Sequence, residues 1–107
     1  MNIQNTYETI KLLMYMFKNK KDFLYNGYYP IFNNSKYIDF LIDNDLINKI
    51  ENLKCNKSYT VNKYYDKKKY WFFEKHIKPI YFIELNEINI INWIKKNSLT
   101  IDLIDFS

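Results

Sequence analysis

Two runs rich in aromatic and β-branched residues, SYTVNKYY and YWFFEKH, flank the tetrad Asp66-Lys67-Lys68-Lys69. Rings and β-branched side chains suit a pleated surface, and a short polar break between two such runs is the signature of a β-hairpin. No other stretch of the chain constrains the fold as much. With a four-residue turn at 66–69, Tyr65 faces Tyr70, Tyr64 faces Trp71, Lys63 faces Phe72 and Asn62 faces Phe73. Alternation then sends Tyr65, Tyr70 and Phe72 to one side and Tyr64, Trp71 and Phe73 to the other. A one-residue slip exchanges the two sets. In either register both faces carry large rings, so one face needs cover and the other is left to solvent or a partner.

The remaining segments are expected to supply that cover. Asn5-x-x-Glu8 resembles a capping box, and Tyr7, Ile10, Leu13, Met14 and Phe17 follow at helical spacing, which predicts a helix over about 6–18. Residues 19–34 contain the single glycine, Gly27, with Pro30 and Asn33-Asn34, and read mostly as a packed-down loop. Ser35 caps a second helix with Tyr37, Ile38, Leu41 and Ile42 inward. Leu46, Ile47, Ile50 and Leu53 keep a helical spacing after a break near Asp43-Asn44-Asp45. After Pro79, residues 80–85 read as a short strand. Residues 86–97 read as a helix with Glu87 at its start and Lys95 and Lys96 at its end, as the helix dipole favours. The tail LTIDLIDF alternates as a last strand. The expectation is an α+β fold in one compact domain, 1–107. It has about three helices on a small antiparallel sheet made of the central β-hairpin and one or two further strands.

Charge singles out the same hairpin. The formal net charge is +4, yet residues 54–78 alone carry +6, eight lysines against Asp66 and Glu74. Residues 1–32 carry +2, and 33–53 and 79–107 carry −2 each. Such a patch attracts anions, a phosphate backbone or an acidic protein face. All sixteen cations are lysine. Without a guanidinium fork the patch attracts but does not read guanine bidentately. Asn, Lys, Ile, Tyr and Phe fill 66 of the 107 positions and Ala and Arg are absent, which points to an AT-rich gene. The candidate interaction residues are Lys63, Tyr64, Lys67, Lys68, Lys69, Tyr70, Trp71 and Lys75. Tyr and Trp beside lysines can stack single-stranded bases or anchor a protein interface.

Catalysis is disfavoured by shortage. Cys55 and His76 are the only cysteine and histidine, so no Cys/His metal centre forms within one chain and a Cys55–His76 nucleophile pair lacks its third member. One glycine leaves no phosphate-cradling loop. Asp39, Asp43 and Asp45 form a secondary acidic patch, read as the solvated side of the second helix and, more weakly, as a magnesium site or a phosphate mimic. No cofactor is expected. A lone cysteine, no signal-peptide pattern and no long apolar run point to a cytoplasmic protein without a membrane partner.

Helix, loop, FLIDNDLINKIE and a basic hairpin loosely resemble a winged-helix DNA-binding domain over about residues 6–75. The helix that would enter the groove is net negative, however. In size and composition alone the chain resembles small phage or mobile-element inhibitors of host defence nucleases, anti-CRISPR proteins among them. The leading expectation is therefore a non-enzymatic inhibitor or adaptor. It would dock on a protein partner, a nuclease or ribonucleoprotein complex, with direct DNA or RNA binding as the alternative.

Overall fold

The computed structural model describes residues 2–66 and 71–99, with side chains described outside 60–76. Helix α1 (Ile3–Asn19) begins one turn earlier than the spacing predicts. Its cap is Asn2, whose side chain accepts the Asn5 N–H at 2.7 Å. Glu8, expected to close a box on Asn5, instead accepts from Gln4 Nε2 at 2.9 Å and pairs with Lys11 at 3.2 Å. The inward stripe is the expected one, with Tyr7, Ile10, Leu13 and Met14 buried.

A 3-10 turn (Lys21–Phe23) leads to Tyr25-Asn26-Gly27-Tyr28. Tyr25 and Tyr28 exchange both backbone hydrogen bonds at 2.9 Å around Asn26 and Gly27, which have φ +52° and +84°. Two consecutive positive φ values are what a tight primed turn demands, and Asn-Gly is the pair that tolerates them best. The segment expected to be mostly loop thus holds a tight turn and then a strand, β1 (Tyr29–Ile31). Pro30 is accepted there because β1 is an edge strand.

Helix α2 (Lys36–Asp43) is capped by Ser35, which accepts the Tyr37 N–H at 3.2 Å. Leu41 is fully buried and Ile38 and Ile42 pack at the core margin, as expected, but Tyr37 is 46% exposed. Helical side chains lean toward the N-terminus, so a ring in the first turn overhangs the helix start instead of reaching the core. After Asn44 the expected helical continuation gives way to strand β2 (Ile47–Ile50). The cause is Asp45 at φ +57°, in the left-handed region. Asp45 N–H donates to the Ile42 carbonyl at 3.0 Å and Leu46 N–H to Leu41 at 3.0 Å, the paired bonds of a Schellman stop, and Leu46 folds back into the core.

The chain next forms β3 (Tyr59–Asp66) and β4 (Trp71–Ile77), then β5 (Tyr81–Leu85) and α3 (Glu87–Lys96). The α+β class is as expected, with three helices and a three-stranded antiparallel sheet among the described residues. The composition of that sheet is not. Its order is β1-β5-β2, with Pro30 opposite Phe82 and Lys49 opposite Ile83. The β3–β4 hairpin stands as a separate two-stranded sheet. Strand β5 turns Tyr81, Ile83 and Leu85 toward the helices, where they meet Tyr7, Ile10, Leu41, Ile90 and Ile94. Helix α3 closes the core and ends as α2 does. Ser98 has φ +56°, Ser98 N–H reaches the Lys95 carbonyl and Leu99 N–H that of Ile94. The strand expected over the tail beyond Leu99 lies outside the described residues.

Candidate docking surface at the hairpin and its root

The hairpin forms where its sequence places it, in a register two residues from the expected one. Tyr65 pairs with Phe72, Tyr64 with Phe73, Lys63 with Glu74 and Asn62 with Lys75, and the last described pair is Asp66 with Trp71. Asp66 thus stays in the strand instead of opening the turn, and a bulge between Thr60 and Asn62 adjusts the root. A displacement of two keeps the parity that a slip of one inverts. Lys63, Tyr64, Trp71 and Lys75 therefore lie on the paired strands. Lys67, Lys68, Lys69 and Tyr70 lie outside the described residues, as does the sorting of the rings to faces.

The root is the best-defined part of this surface. Tyr59, 3% exposed, opens β3. Its hydroxyl donates to the Phe23 carbonyl at 2.8 Å, and its ring meets Phe23 and Phe32 edge-on, each at 5.2 Å between centroids. Edge-to-face pairs of this kind contribute about 0.5–1.5 kcal/mol each beyond their burial. Phe23 passes the chain of rings to Tyr29 at 5.9 Å, and Tyr29 to Phe17 at 5.8 Å. Lys57 adds a second tie. Its ammonium donates to the Leu24 carbonyl at 3.2 Å and stands 5.2 Å from the Tyr59 ring centre. Burial, with smaller contributions from Cys55 and Tyr25, pushes the Tyr59 phenol up to about 12. The first strand of the hairpin is therefore clamped to residues 17–32, a link that the sequence alone did not reveal.

Beside the root lies a half-open cleft of about 220 Å³ where the loop before β3 meets the one after β4. Leu53, Pro79 and Ile80 are among its apolar lining residues, and Asn52, Cys55, Lys57 and Lys78 among its polar ones. The Cys55 thiol donates to the Lys57 carbonyl at 3.6 Å.

The acidic residues are not gathered at one point. Asp39 and Asp43 line a wider cleft of about 500 Å³ with Asn5, Lys36, Tyr37 and Phe40. Asp45 sits in the helix stop, its carbonyl accepting from Asn89 Nδ2 at 2.8 Å. Among the described residues no three His, Cys, Asp or Glu side chains converge to hold a metal ion, and no helix is long and apolar enough to cross a membrane. FLIDNDLINKIE, on which the winged-helix resemblance rests, divides into the end of α2, a stop and β2. No protein-family model matches the chain, and neither a curated protein nor a solved structure matches it.

Proposed function

We propose that this chain is a small binding protein, an inhibitor or adaptor without catalytic chemistry of its own, that docks through its basic hairpin on another protein. The observation that carries this reading is the separation of the hairpin from the three-stranded sheet. The helices and the three-stranded sheet form a core, while the hairpin is a second sheet pinned at one end by Tyr59. That hairpin lies in the segment with a charge of +6. A hairpin held by its root presents its strands and tip as a unit, with less ordering left to do on binding. Lysine supplies long-range attraction, and Tyr and Trp supply the anchoring area on which protein interfaces depend. The partner class that fits is an acidic-surfaced, nucleic-acid-processing protein such as a nuclease or ribonucleoprotein complex, a role like that of an anti-CRISPR protein.

The test is capture of a stoichiometric protein partner from the source organism's host. The combined change Lys67→Glu, Lys68→Glu, Lys69→Glu and Trp71→Ala is expected to abolish capture while the thermal melt of the core is retained. Retention of the partner by that variant removes the hairpin as the docking element. The second reading, direct DNA or RNA binding, is favoured by the same charge. It predicts micromolar binding to generic oligonucleotides that falls steeply between 50 and 200 mM salt, roughly 10³-fold for six phosphate contacts.

A further inference from the structure

We infer that the cleft beside the hairpin root is a socket for one apolar side chain of an acidic partner segment, so that docking uses a lysine-rich hairpin and an adjacent apolar anchor point together. This rests on the reading of the hairpin as a protein-docking element and adds the chemistry of the segment it receives. At about 220 Å³ the cleft is smaller than the roughly 300–1,000 Å³ typical of small-molecule and cofactor sites, and its size suits a single aliphatic or aromatic side chain. Its walls mix apolar groups, Leu53, Pro79 and Ile80, with polar ones, Asn52, Lys57 and Lys78, and Ile80 remains 53% exposed at the margin although it follows a proline on the way into a buried strand. Scattered exposed isoleucines are ordinary, but this one lines a concavity together with two lysines. The Lys57 ammonium is held by the Leu24 carbonyl, whereas Lys78 is exposed and has no partner among the described residues.

Charge then selects the occupant. The cleft lies within and beside the 54–78 segment that carries +6, so a segment with carboxylates flanking its apolar residue is attracted, and one with lysines or arginines is repelled. Phosphate chemistry alone leaves Leu53, Pro79 and Ile80 unused. The geometry therefore favours an acidic peptide over a nucleic acid.

Cys55 is the chain's only thiol and lines the cleft, which makes it a built-in reporter. The experiment measures the rate of Cys55 alkylation by iodoacetamide on the full chain with three synthetic peptides. The first has one leucine flanked by two glutamates on each side, the second replaces the glutamates by lysines, and the third replaces the leucine by serine. The expected result is at least fivefold protection at saturating glutamate–leucine peptide, little with the other two, and loss of protection in Ile80→Asp. Ile80 is exposed enough for that variant to keep its thermal melt, and Lys78→Glu is a second variant expected to weaken protection about threefold. No protection by the glutamate–leucine peptide, or equal protection by the serine peptide, overturns the inference. So does protection by a single-stranded oligonucleotide alone, which assigns the cleft to nucleic acid. Protection that rises with the protein's own concentration in the absence of peptide assigns it to a second copy and likewise overturns the inference. If Ile80→Asp retains the captured partner while the hairpin-tip variant loses it, the socket fails and the docking function stands.

Discussion

The three-stranded sheet and the hairpin are built from similar residues by opposite strategies. Strand β5 is paired on both edges, its partners drawn from segments about 35 and 50 residues upstream, and its residues Tyr81, Phe82 and Ile83 are all buried. Strands β3 and β4 pair with each other in a separate two-stranded sheet, tied to the rest of the molecule at its root by Tyr59. Long-range pairing yields a cooperative core, whereas local pairing yields an element that can be altered without dismantling that core. The lesson is that aromatic content does not distinguish a strand of the three-stranded sheet from a strand of the hairpin. The partners of the backbone do.

Changes on the core side of this comparison should be the most damaging. Ile83, fully buried at the centre of β5, contacts both sheet and helices. Ile83→Ala is expected to cost about 2–5 kcal/mol, read as a large drop in the midpoint of urea unfolding. A loss below 1 kcal/mol would mean that β5 is not the centre of the fold.

At the junction, Tyr59→Phe keeps the ring and removes the bond to the Phe23 carbonyl, an expected loss of about 1–2 kcal/mol. The same residue gives the junction a pH signature. Its folded pKa of about 12 lies above the ordinary tyrosine value of 10. The folded state therefore holds this proton more tightly than the unfolded state. Its contribution is complete below pH 10 and is lost as pH rises from 10 to 12. Tyr59→Phe should flatten that part of the alkaline decline relative to the parent, and identical alkaline slopes would mean that the phenol is not held at the root.

Smaller again is the cap of α2. Ser35→Ala leaves the Tyr37 N–H without its side-chain partner and should cost about 1 kcal/mol by chemical denaturation. The smallest effect on stability belongs to the hairpin tip. Lys67→Glu, Lys68→Glu and Lys69→Glu together should change stability by no more than about 0.5 kcal/mol, although partner capture is expected to fall sharply. A tip variant that unfolds the chain would erase the distinction between the two sheets.

How much of this was legible in the sequence follows from the range of each interaction. Helices α1 and α3 and the hairpin are written locally, in apolar spacing and in two aromatic runs around a polar break. The change from helix to strand after Asp43 is also local but easily misread. Leu46, Ile47 and Ile50 fit a helical period, and only Asp45 in the left-handed region shows that the helix has stopped. The signal was present twice, in NDL after α2 and NSL after α3, where an Asn cap, a short polar residue and a returning leucine recur. With one glycine in the chain, Asn26, Asp45, Asn52 and Ser98 occupy positive φ positions that glycine commonly fills. An asparagine-rich composition that looked like codon bias therefore also does conformational duty.

The division into two sheets was not legible, because the partners of β5 are set by which apolar segments can be buried together. The clamp on Tyr59 and the cleft beside it were hidden for the same reason. The clamp joins residues 23, 32 and 59, the cleft joins 50–57 with 78–82, and no spacing rule connects such segments.

The most direct test of a core that folds without the hairpin is to replace residues 60–76 by an Asn-Gly turn. Tyr59 and Ile77 are an antiparallel pair, so two residues suffice to join them. The measurement is the thermal unfolding of this shortened chain. A single cooperative transition within about 5 °C of the parent, equivalent to about 1 kcal/mol for a domain of this size, is the expected result. Loss of the cooperative transition would contradict the account, because the hairpin would then be part of the core.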